Sequence, residues 1–122
     1  MSYAEQLLAT KSHYPFQKWQ ANFPIMEQYT QENCMAAQAI LDDLIDGLIQ
    51  LGEDAPKAQK VEQFRISVEA LNALNEELDH VLIETGEREE LCDLLDAITA
   101  AANLNPEDYA DGEGIADEWR DW

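Results

Sequence analysis

Three stretches of this chain place apolar residues three and four positions apart, and no stretch alternates apolar with polar at every second position. That periodicity allows helices with one buried face and excludes a half-buried sheet. In residues 24–51, Ala37, Leu41, Leu44, Ile45, Leu48 and Leu51 share one side, while Asp42, Asp43 and Asp46 occupy the other. Asn22 and Pro24 open this helix and Gly52 closes it. A second helix takes Asp54 as its cap and Pro56 in its first turn. Its stripe is Val61, Phe64, Val68, Leu71, Leu74, Leu78, Val81 and Leu82, a length of roughly 40 Å at ~1.5 Å per residue. The third is capped by Thr85, with Glu87, Glu89 and Glu90 at the positive end of its dipole and a buried face of Leu91, Leu94, Leu95, Ile98 and Ala102.

Shorter elements flank these. "YAEQLLAT" reads as a short helix, and Phe16, Trp19 and Phe23 fall on one helical face that closes an open end of the bundle. Asn105 followed by Pro106 is a fresh cap and first position, giving a short helix to Tyr109. The glycines of "DGEG" supply a turn with positive φ, and "IADEWRDW" forms one or two final helical turns. Ile115 and Trp119, four apart, pack against the bundle. The expected fold is therefore all-α: a single-domain helical bundle with three long helices plus short N- and C-terminal helices. Residues 1–23 form an irregular aromatic-rich segment, 24–104 the main helices, and 105–122 an acidic turn with a short helix. A chain of 122 residues suits one domain, with Leu44, Leu48, Phe64, Leu71, Leu95 and Ile98 in its core.

Twenty-six acids oppose seven bases, for a formal net charge of −19. Self-repulsion of this size destabilises a compact state. Residues 84–122 hold thirteen of the acids, with only Arg88 and Arg120 as bases. Seven bases cannot neutralise enough phosphates to bind nucleic acid, so that class is excluded. There is no run of eighteen apolar residues, and the opening "MSYAEQLLATKSHY" lacks an apolar signal region. These features point to a cytoplasmic protein without membrane association. Cys34 and Cys92 fall on different helices and read as reduced, buried thiols.

Catalytic motifs are missing. His13 and His80 sit in unrelated contexts, and no HExxH, Gly-rich phosphate loop or nucleophile elbow occurs. A di-iron bundle needs two Glu-x-x-His pairs, and Glu77 with His80 supplies one. Carboxylate pairs such as Glu76 with Asp79 or Glu89 with Asp93 have no such companions. The chain is read as a non-enzyme without cofactor.

The acidic stretch "EDYADGEGIADEW" invites comparison with a calcium loop. With Gly112 at the sixth position, Asp111 and Glu118 fall correctly, but Tyr109 takes a ligand position and Gly114 the apolar one. With Gly114 there instead, Tyr109 and Arg120 occupy ligand positions. Neither register completes a ligand set, so no specific metal site is expected.

The stretches "ALNALNEE", "LIETGEREELCDLLDAI" and "NPEDYADGEGIADEWRDW" resemble a group of small, acidic, all-helical bacterial proteins. The resemblance spans roughly residues 40–122 and supports the fold. Some proteins of this kind are immunity proteins of contact-dependent or other polymorphic toxin systems. The resemblance together with the charge implies a binding inhibitor that covers a basic, nuclease-type toxin domain. The candidate partner-binding residues are Glu87, Glu89, Glu90, Asp108, Asp111, Glu113, Asp117 and Glu118. The competing expectation is a helical interaction or accessory protein whose acidity serves solubility. Oligomeric state is left open by the sequence.

Overall fold

A computed structural model describes residues 1–122. Five α-helices follow one another: α1 Tyr3–Ala9, α2 Phe16–Ala21, α3 Gln31–Leu51, α4 Lys57–Glu77 and α5 Thr85–Ala101. Short 3-10 turns occupy Thr10–His13, Pro106–Asp108, Ala110–Gly112 and Ile115–Glu118, and there is no strand. The all-helical bundle with three long helices is thus present. The C-terminal short helices are 3-10 turns rather than α-helices, because glycines and positive φ values interrupt them.

The long elements meet where their stripes face. α3 and α4 pack along each other, α1 and α2 lie on α3, and α1 also touches α5. The Ile115–Glu118 turn bridges α4 and α5. Twenty-three buried apolar residues form one cluster, including all six expected core positions, Leu44, Leu48, Phe64, Leu71, Leu95 and Ile98. No helix is long and apolar enough to cross a membrane.

Capping fixes the helix starts, and here the structure departs from the sequence expectations. α1 carries a capping box: the Glu5 N–H donates to Ser2 Oγ at 3.1 Å, and the Ser2 N–H returns a bond to Glu5 Oε1 at 3.2 Å. α3 starts at Gln31 and not at Pro24. Residues 22–28 form turns, the Phe23–Pro24 peptide is cis, and Thr30 caps the helix by accepting from the Asn33 N–H at 3.1 Å. Pro56, with no side-chain bond, stands at the cap of α4 where Asp54 was expected. Glu84, not Thr85, caps α5, and its N–H donates to Glu87 Oε1 at 3.2 Å.

α4 also ends earlier than its apolar stripe. It stops at Glu77, and Asp79 and His80 take φ values of 58° and 62°. Asn75, 2% exposed, organises this reversal. Its carbonyl accepts from the His80 N–H at 2.7 Å, and its Oδ1 accepts from the Ile83 N–H at 3.0 Å. Leu82 is buried because the chain turns back toward the core, while Val81 stays 42% exposed.

Two polar fixtures join the elements. Trp19 stacks on Tyr29 with ring centroids 5.7 Å apart and meets Phe16 edge-on at 5.2 Å. Its Nε1 donates to Glu90 Oε1 at 3.0 Å, tying α2 to α5. Phe23 does not share this face; it is half-exposed beyond the end of α2. The second fixture is Lys60, only 3% exposed. Its ammonium donates to the carbonyls of Glu53 at 2.8 Å and Ala102 at 2.9 Å, and lies 4.9 Å from the centre of the Tyr3 ring. A cation at the C-terminal end of α5 complements the helix dipole and satisfies a carbonyl with no partner in the helix.

Candidate acidic interface

The first turns of α5 and the loop that follows the helix bring the C-terminal acids together. The loop is held at several points. Asn105 Oδ1 accepts from the Glu107 N–H at 3.1 Å, starting the Pro106–Asp108 turn. Ala110, Asp111 and Gly112 then take φ values of 50°, 54° and 88°, a short left-handed run that reverses the chain. Glu118 closes the reversal by accepting from the Ala110 N–H at 2.5 Å. Ile115 and Ala116 are buried, and Trp119 packs half-buried against the core. Asn72 of α4 clamps the tail, donating to the Trp119 carbonyl at 2.9 Å and accepting from the Asp121 N–H at 3.1 Å. Gly114, at φ 104°, seats the loop on α5, where a Cβ would stand 2.6 Å from Asp96 Oδ1.

The eight candidate residues divide in two. Glu89, Asp108, Asp111 and Glu113 are exposed. The ion pairs of the fold involve none of them. The other four are engaged within the fold, although Glu118 stays exposed. Glu87 accepts from the backbone of Glu84. Glu90 accepts from Trp19 and pairs with Lys18 at 2.8 Å. Asp117 pairs with Arg120 at 2.5 Å, and Glu118 holds Ala110. The carboxylates nearest a packed element are recruited by it; those at the rim remain in solvent.

A shallow cleft joins the two halves of the site. Glu89 and Asp93 line it from α5, Glu113 and Asp117 from the loop, and Arg88 and Arg120 complete its wall. Asp93, one turn after Glu89, is the member that the sequence reading left out of the interface, although its four-residue spacing was the available signal. Cys92 also lines the cleft. Burial pushes its thiol up, as it does for Cys34, so neither has the depressed pKa of a reactive cysteine. Both are free thiols.

Asp96 lies beneath the loop, and its carboxyl is raised above the ordinary aspartate value by burial first, then by Asp93 and Asp117. A carboxyl raised in the folded state binds protons more tightly there than in the unfolded chain, so this group favours folding as pH falls through its raised pKa. Asp96→Asn removes the charge permanently. It is expected to raise the melting temperature at pH 7, with the gain over wild type shrinking as pH falls through the raised pKa toward the ordinary aspartate value; a gain at the ordinary aspartate pKa equal to that at pH 7 would reject the electrostatic cause.

No group of three or more His, Cys, Asp or Glu side chains is placed to hold a metal ion. His13 and His80 are both exposed, and His80 stands beyond the end of α4, in the turn. Searches against known protein families, curated proteins and solved structures found no match to this chain.

Proposed function

We propose that this protein is a binding inhibitor of a basic partner, an immunity protein that covers a nuclease-type toxin domain with its acidic C-terminal face. The observation that carries the reading is the set of exposed, unpaired carboxylates Glu89 and Glu113 on either side of one cleft, with Asp108 and Asp111 exposed on the same loop as Glu113. Glu89 stands on α5 and the other three on a loop fixed by Asn72, Ile115 and Glu118, so little ordering is required when a partner arrives. A net charge of −19 also raises the rate at which a basic partner is captured.

A second reading, an accessory protein whose acidity serves solubility, is favoured by the internal engagement of Glu87, Glu90, Asp117 and Glu118. The test therefore uses acids that the fold does not employ. Glu89→Lys with Glu113→Lys is expected to leave the melting temperature near wild type. Against a basic nuclease-type toxin domain, sought first in the neighbouring reading frame, it should slow association by about tenfold or more at low salt, and by less at high salt. Rescue of cells expressing that domain should weaken in parallel. Unchanged association and rescue would remove this surface from the mechanism, and loss of solubility alone would favour the second reading.

A further inference from the structure

The outer seam between α3 and α4 is not covered by any other helix of the bundle over the turn around Ile66, which is 52% exposed. A cleft of about 100 Å³ opens there, with Ile40, Ile66 and Ala70 among its walls and the buried Leu44 and Ser67 beneath them. Ser67 is 3% exposed, and its Oγ has no hydrogen-bond partner. A water occupies ~30 Å³ of liquid volume, so the space suits a single aliphatic side chain rather than a cofactor.

The charges around the cleft indicate what kind of chain brings that side chain. Asp43 lines the cleft, and it and Asp46, one turn along α3, are exposed. Neither enters the fold's ion pairs, whereas Arg65, beside Ile66, is held by Glu62 and Glu69. A second copy of the chain would bring another −19 to the same place. We infer that the α3–α4 seam docks a basic amphipathic helix of a partner protein. One aliphatic side chain of that helix enters the cleft against Ile66 and Ala70, and flanking lysines or arginines meet Asp43 and Asp46. This is helix-in-groove recognition with an acidic margin. It uses none of the residues of the C-terminal face, so either surface can fail its test without the other.

The test is titration of the full chain with a leucine–lysine peptide of about 14 residues patterned at ~3.6 residues per turn, beside a scrambled peptide of equal charge. Amide shifts and calorimetry are read at about 0.15 M salt, where distant charges are screened. The amphipathic peptide is expected to bind at least about tenfold tighter than the scrambled one, with shifts concentrated at Ile40, Ile66 and Ala70. Ile66→Ser, at an exposed position that leaves the melting temperature near wild type, should abolish that preference, whereas Ser67→Ala, which leaves the apolar walls in place, should retain it. Equal binding of both peptides, or shifts concentrated elsewhere, would overturn the inference. So would a dimer in sedimentation velocity that Ile66→Ser dissolves, which would make a second copy the occupant.

Discussion

Trp19→Ala is expected to destabilise the protein by about 3–5 kcal/mol, the range for removing a large aromatic from a packed core. The indole is 1% exposed, lies between the Phe16 and Tyr29 rings, and donates to Glu90, so its removal opens a void at the junction of α2, α5 and the turns before α3. Trp19→Phe keeps most of the ring volume and loses the hydrogen bond. It should cost about 1–2 kcal/mol, with Glu90 still paired to Lys18. Urea unfolding followed by circular dichroism measures both, since tryptophan fluorescence would change with the substitution itself. A loss below about 1.5 kcal/mol for Trp19→Ala would mean that the N-terminal segment is peripheral to the core.

Lys60→Ala is expected to cost a similar amount, about 3–4 kcal/mol, through a different route. It leaves the Ala102 carbonyl buried without a donor, frees the Glu53 carbonyl, and removes the buried aliphatic stem together with the ammonium beside the Tyr3 ring. Lys60→Met separates these effects. The stem is kept, the two bonds are lost, and a buried charge is removed, so the expected loss is smaller, about 1–3 kcal/mol. The same unfolding measurement decides the sign. If Lys60→Met proved more stable than wild type, desolvation of the ammonium would outweigh the bonds it makes, and the clamp between α4 and α5 would be a net burden.

How far these features were legible in the sequence depends on what kind of physics makes them. The buried faces of α3, α4 and α5 follow from periodicity, because hydrophobic burial is non-directional and shows itself in composition along the chain. The break after Glu77 does not. Leu78, Val81 and Leu82 continue the stripe in phase, yet the backbone reverses at Asp79 and His80 without a glycine or proline. That stop is made by the Asn75 side chain capturing the Ile83 N–H, a directional bond between residues eight apart that no local pattern announces. Lys60 was hidden for the same reason: beside Lys57, it reads as a solvated charge until the C-terminal end of α5 is placed against it. In the candidate interface the acids could be listed from the sequence, but their division into free and engaged could not. Glu89 and Glu90 are neighbours in sequence, and only the position of Trp19 and Lys18 tells them apart.

The bases are mostly consumed indoors. Lys11, Lys18, Arg65 and Arg120 pair with carboxylates of the same chain, and Lys60 is spent on carbonyls, which leaves Lys57 and Arg88 outside these pairings. The surplus anions must therefore be accompanied by mobile cations drawn from the solution. Any cationic surface that settles on this protein displaces part of that ion cloud, and the freed ions gain translational entropy that grows as the salt becomes more dilute. Such association would be driven in part by the solvent's small ions rather than by the contacts alone, and its strength would be set by the ionic composition of the compartment in which it occurs.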